Sequence, residues 1–228
     1  MKTHFAILFK SLFLGTITPL VISCTHGQTT ERLLPYIDTR MGTAASITHT
    51  AGMFGKHTEE YGQTLPAVLE PNGMNFWTPQ TQDTEQKCIA PYYYRDSLFQ
   101  GFRNSHWITG GCTQDYGSMT LSALFDSLRC IPEKRGTRFA HEQETATPSY
   151  YSVTLPEEHL QAELTGRSRS AIFRFTYQKA GKAYLIVNPN SDEGEGYIEI
   201  DTLQKRIYGY NPCLLYTSPS PRDRSLSR

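Results

Sequence analysis

From Tyr150 onward the chain alternates. Short apolar or every-other-residue apolar runs, Tyr150–Leu155, Gln161–Thr165, Ala171–Tyr177, Ala183–Val187, Tyr197–Asp201 and Arg206–Tyr210, are separated by turn residues at β-sandwich spacing. Successive side chains of a strand point to opposite faces, so Ala171, Phe173, Phe175 and Tyr177 share one side. Ile172, Arg174 and Thr176 take the other, and the first set is expected in the core. Lys179-Ala-Gly-Lys182 and the Asn188–Gly196 stretch have the composition of turns and are expected to join antiparallel neighbours. No stretch carries the amphipathic 3.6-residue repeat of a crossover helix. The pattern predicts an all-β, antiparallel β-sandwich.

Tyr36–Leu128 reads differently, with long loops rich in Gly, Pro, Tyr and Thr between brief strands such as Met119–Phe125. Loops of that length in a compact domain usually carry function. Gly101–Ser118, GFRNSHWITGGCTQDYGS, has neither a helical nor a strand period. Its Gly110-Gly111 pair describes backbone that can approach a ligand, or another strand, closely.

The two ends stand apart from this body. Residues 1–23 have a basic start at Lys2, an apolar stretch and the tetrapeptide Val21-Ile22-Ser23-Cys24, the form of an export signal. That tetrapeptide resembles a bacterial lipobox, which makes Cys24 the expected lipidation site and the cell envelope or surface the expected location, with the membrane touched only through a lipid anchor. Residues 213–228, CLLYTSPSPRDRSLSR, resemble translated sequencing-adaptor DNA and are expected to be a non-native tail. The domain expected between the ends is 24–212.

Setting aside Lys2, Lys10, Arg222, Arg224, Arg228 and Asp223 leaves 17 basic and 21 acidic residues. A net-negative body opposes binding to phosphate backbones, so no nucleic-acid partner is expected. Cys88, Cys112 and Cys130 remain once Cys24 and Cys213 are accounted for. They allow one disulfide of undetermined pairing, and no CxxC metal or redox motif occurs.

Several constellations have both a chemical and a plain reading. His49 and His57 with Glu59 and Glu60 are metal-ligating types, but the spacing on a Gly-rich segment imposes no ligand geometry. Asn188, Asn190, Asp192 and Glu199 match part of a calcium-loop spacing, yet Glu193 stands where the sharp turn needs glycine, so an acidic hairpin loop is expected. His106 near Cys112 would lower a thiol pKa, but no orienting third group can be identified. On these readings neither a metal site nor a cysteine nucleophile is expected in the chain. Tyr92, Tyr93, Tyr94, Trp77 and Trp107 suit stacking on a sugar, or ordinary sandwich core; Trp107 is the strongest ligand candidate of the five.

The order of motifs carries more. Tyr36-Ile-Asp-Thr-Arg-Met-Gly-Thr43, Thr64-Leu-Pro-Ala-Val-Leu-Glu-Pro-Asn-Gly-Met74, Tyr92-Tyr-Tyr-Arg-Asp-Ser97, the Gly101–Ser118 run and Phe139-Ala-His-Glu-Gln-Glu-Thr-Ala-Thr-Pro-Ser-Tyr-Tyr151 together resemble the N-terminal domain of glycoside hydrolase family 92. Two departures stand out: Glu85–Pro91 replaces an aromatic-rich segment, and Ile108-Thr-Gly-Gly-Cys112 replaces Ser-Gly-Thr-Gly-Cys.

The resemblance implies a bacterial, calcium-dependent, inverting exo-α-mannosidase that trims N-glycans or mannans. It further implies an N-terminal β-sandwich followed by a C-terminal (α/α)6 barrel that holds the catalytic carboxylates and the calcium ligands. On that implication the present chain is a truncated, inactive substrate-binding portion, whose partners are a mannose-containing glycan and its own missing barrel. Motif position assigns sugar contacts to Gly42, Thr43, His106, Gly110, Gly111, Cys112, Asp115 and Tyr116, with Trp107 added as a ring for stacking. A stand-alone carbohydrate-binding lipoprotein is the competing expectation.

Overall fold

Two four-stranded antiparallel sheets face each other across an aromatic core in the computed structural model of the chain. It describes residues 36–49, 62, 64–73, 76–83, 89–107, 115, 118–189 and 196–211. In chain order the elements are β1 (Phe76–Gln80), β2 (Leu98–Phe99), β3 (Gly101–Ser105), β4 (Met119–Phe125), α1 (Pro132–Arg135), β5 (Thr137–Arg138), β6 (Glu144–Thr147), β7 (Tyr150–Leu155), β8 (Leu160–Gly166), β9 (Ala171–Tyr177), β10 (Ala183–Asn188), β11 (Tyr197–Asp201) and β12 (Arg206–Tyr210). Strands make up 44% and helices 9%, which agrees with the all-β expectation.

The second sheet, β6-β7-β8-β9, is a meander. Thr147 closes its first hairpin, its hydroxyl donating to the Tyr150 carbonyl at 2.9 Å and accepting the Tyr150 amide at 3.1 Å. Across the register, Leu164 faces Phe173 and Ala162 faces Phe175, which puts the odd-numbered residues of β9 inward as the alternation predicts. Their rings meet the first sheet: Phe173 lies edge-on to Trp77 at 4.7 Å, and Phe102 touches Tyr151, Phe173 and Phe175. Burying each such side chain contributes about 1.5–3 kcal/mol, so this interface dominates the stability of the sandwich.

The first sheet has the order β1-β3-β4-β10, and here the local reading fails. The Lys179–Lys182 turn does not join antiparallel neighbours. It carries the chain from β9 in one sheet to β10 in the other, where Ala183 pairs with Phe125 and Asn188 with Thr120. Gly181 permits the passage, because a Cβ there would lie 2.3 Å from the Phe125 ring. The Asn188–Gly196 stretch likewise leads from β10 to β11, which pairs with β12 instead. The whole meander is thus inserted between β4 and β10, and Glu158 ties it back by accepting the Phe125 amide at 2.5 Å and an ion pair from Arg129.

The outward faces of the sheets differ. On the second, Arg174 grips Glu163 through Nε and Nη2, both at 2.5 Å, and the Tyr150 hydroxyl donates to the same carboxylate at 2.7 Å. Behind the first sheet, Thr78, Gln80, Arg103, Ser105, Ser118 and Thr120 are all buried.

Candidate functional site

Strand alternation explains the buried polar layer. On β3, Phe102 points into the core, so Arg103 must point to the back of the sheet, opposite Thr78 on β1 and Thr120 on β4. A buried guanidinium requires a charge partner. Asp115 supplies it from the Gly-rich run, accepting Arg103 Nε at 2.9 Å through Oδ2; Ser118 Oγ accepts Nη2 at 2.9 Å. The same Oδ2 accepts the Ser105 hydroxyl at 2.7 Å, and Oδ1 accepts the His106 amide at 2.8 Å. Ser105 Oγ in turn accepts the Trp107 amide at 3.2 Å. One carboxylate therefore ties Asp115 to β3 and to the His106 backbone that follows it.

A second set of contacts builds the Asp38–Thr43 turn. Arg40 binds Asp38 with its Nε and Nη2, and the Asp38 carboxyl is held below its ordinary value chiefly by that hydrogen-bonded pairing. The Thr43 amide and hydroxyl both donate to the Arg40 carbonyl, at 3.1 and 2.7 Å, and the Thr43 carbonyl accepts the Tyr94 amide at 3.0 Å. Gly42 has φ +82°, the left-handed region that favours glycine, and Gly62 packs so closely that a Cβ on it would meet the Gly42 carbonyl at 2.6 Å. Beside this turn lies a cavity of about 660 Å³, lined by Asp38, Arg40, Met41, Gly42, the 44–48 segment, Gly62 and Tyr94.

Under Tyr94 sits a third cluster that sequence reasoning missed. Glu144 is buried; it accepts the Tyr92 hydroxyl at 3.0 Å and lies 2.9 Å from His141 Nδ1. Burial, then the Glu144 charge, raises the Tyr92 and Tyr151 hydroxyls far above their ordinary range. The His-Glu-Gln-Glu spelling at 141–144 carried the signal. Only the three-residue helical turn His141–Gln143 turns it into a facing pair.

The predicted site residues are distributed unequally. Gly42 is exposed on the cavity, Thr43 is fully buried behind it, and His106 is half-buried. Trp107 is 4% and Asp115 5% exposed, both closed in by the chain itself, and the Trp107 indole nitrogen has no hydrogen-bond partner among the described residues. Trp77 and Tyr92 are buried as well. Gly110, Gly111, Cys112 and Tyr116 lie outside the described residues, as do Cys24, Cys88, His57, Glu59, Glu60, Asn190 and Asp192. The described cavity lining includes Gly42 but not His106, Trp107 or Asp115. Cys130 is free and exposed. No three His, Cys, Asp or Glu side chains gather around a possible metal position among the described residues.

The family model for the glycosyl hydrolase family 92 N-terminal domain matches residues 36–220. The chain belongs to glycosyl hydrolase family 92. Its fold is similar to the inverting mannosidase BT2199 of Bacteroides thetaiotaomicron VPI-5482, with 33% identity and a TM-score of 0.66 over 79% of this chain and 23% of that one. It is also similar to the α-mannosidase BT3965 of Bacteroides thetaiotaomicron, with 25% identity and a TM-score of 0.56 over 69% of this chain and 20% of that one. The glycosyl hydrolase ccman5, at 19% identity and a TM-score of 0.52, shares the fold. The chain thus spans about a quarter or less of the length of these solved structures. No curated protein matches it.

Proposed function

We propose that the chain is the glycan-facing N-terminal portion of a secreted bacterial exo-α-mannosidase of the inverting, calcium-dependent kind, tethered to the cell envelope through Cys24 and inactive alone. The observation that carries this reading is a sugar-sized cavity beside the Gly42 turn with no acid–base pair in its described lining. Inverting hydrolysis needs a protonated carboxyl and a carboxylate roughly 6.5–9.5 Å apart. Asp38 is the one acid in that lining, and its pairing with Arg40 lowers its pKa, the opposite of what a proton donor needs. Other buried carboxylates are spent on structure: Asp115 on Arg103, Glu144 on Tyr92 and His141, Glu158 on Arg129.

Acid, base and calcium ligands then belong to a barrel domain outside this chain. In this arrangement Gly42 and His106, with Gly110, Gly111, Cys112 and Tyr116 of the Gly-rich run, meet the terminal mannose. Thr43, Trp107 and Asp115 support that rim from behind. Met41 and Ile47, 74% and 92% exposed beside the cavity, suit a surface covered by the barrel.

Hydrolysis of α-linked manno-oligosaccharides tests the reading: no turnover by this chain, and turnover by a longer gene product that carries the barrel. Turnover by the chain alone would overturn it. The cavity also favours a second reading, a stand-alone sugar-binding module. Calorimetry separates the two, since a half-site predicts millimolar binding or none, about 4 kcal/mol or less.

A further inference from the structure

His141 is placed between two acceptors. Its Nδ1 lies 2.9 Å from Glu144 Oε2, and its Nε2 lies 2.5 Å from the Tyr94 carbonyl oxygen. A neutral imidazole has one N–H and one lone pair, so one of these contacts would set two lone pairs against each other. The imidazolium satisfies both. It also supplies the charge that a buried Glu144 carboxylate requires. The other nearby cation, Arg40, spends Nε and Nη2 on Asp38 and donates Nη1 to the His141 carbonyl at 3.1 Å.

The ring is fixed on its faces too. Tyr94 stacks on it with centroids 3.9 Å apart and planes within 7°, and Phe139 meets it edge-on at 5.2 Å. An aromatic face over a cation adds attraction. The contacts then run onward to the cavity: Tyr94, whose carbonyl is held by the ring, donates its amide to Thr43, and Thr43 closes the turn on Arg40. Both His141 contacts, ring and carbonyl, therefore end in the segment that presents Gly42.

We propose that His141 is carried as an imidazolium between Glu144 and the Tyr94 carbonyl, and that this cation is a positioning residue which clamps the Gly42–Thr43 turn against the cavity. The titratable groups facing it are Glu144 on β6, Tyr151 on β7, Tyr92 and Tyr94 on the 89–97 segment, and Asp38 and Arg40 on the turn itself. Tyr92 and Tyr151, raised by burial and by Glu144, remain neutral and do not compete as anions. The clamp depends on both ring contacts. Its relevance to sugar binding rests on the proposed function, whereas its existence does not.

The test is nitrogen NMR of the histidine-labelled 228-residue chain together with amide hydrogen exchange. Two protonated ring nitrogens on His141 at neutral pH are expected, reverting to one in Glu144→Gln. Exchange at the Tyr94 amide should quicken about tenfold or more in His141→Gln at one fixed pH, with distant β8 amides unchanged. The wild-type ring signal needs no variant to fold, and a neutral His141 ring at neutral pH overturns the proposal. A titration with methyl α-mannoside separates the two ideas. If the imidazolium and the faster Tyr94 exchange in His141→Gln are present but the Gly42 and Thr43 amides ignore the sugar, the functional reading fails and the clamp stands. Sugar-shifted amides around a neutral His141 give the reverse.

Discussion

The two faces of β3 are one residue apart and follow different rules. Phe102 enters an interface of rings, touching Phe99, Tyr151, Phe173 and Phe175. Arg103, its neighbour, enters a polar layer in which Asp115, Ser105 and Ser118 must each supply a donor or an acceptor. The first face depends on volume and tolerates exchange among shapes of similar size. The second depends on partners, and a buried charge without one is costly whatever its shape. The sandwich core makes the domain stable; the polar layer ties Asp115 and the His106 backbone to β3.

The largest expected effect comes from Phe102→Ala, which opens a cavity between the sheets and should cost about 4 kcal/mol in urea unfolding, while Phe102→Leu should recover most of it. Asp115→Ala should cost about 3 kcal/mol, because Arg103 stays buried without its counter-charge. Here the isosteric Asp115→Asn should not rescue, since shape is kept and charge is lost. Full rescue by asparagine would erase the contrast between the two faces.

The smallest effect concerns the outer face of the second sheet, where Arg174, and then Tyr150, hold Glu163 down to about 2. A depressed carboxylate stabilises the fold above its unfolded value, about 4.3, and that contribution fades as the pH falls towards about 2. Arg174 is largely exposed to water although Glu163 is buried, so screening keeps the change small. Melting temperatures of wild type and Glu163→Gln should converge between those pH values; curves that stay parallel would remove the ion pair from the account.

The strands after Tyr150 were legible because their alternation is regular: Ala171, Phe173, Phe175 and Tyr177 read as one face and lie on one face. The pairing of β10 was not. Period identifies which side of a strand is apolar and says nothing of which strand lies beside it. Among the site residues, Gly42 reads only as a sugar contact assigned by motif position, and its φ of +82° adds a backbone role. Thr43, Trp107 and Asp115 read as contacts, whereas their burial places them behind the surface. Arg103 lies in the Gly101–Ser118 run, which reads as a loop without a strand period, so neither β3 nor the burial of Arg103 against Asp115 was legible. His141 and Glu144 were quoted within a motif without a role.

Taken alone, the order of residues determined the β class, the strand faces and the family motifs, since the first two follow from side-chain period over a few neighbours and the third from the residues themselves. Tertiary structure decided the insertion of the meander between β4 and β10, the Arg103–Asp115 anchor and the His141–Glu144 clamp. Those depend on residues 12, 3 and more than 50 positions apart meeting in a space that water has left. Burial sets the strength of a charge pair and the need for a partner, and it is a property of the packed whole.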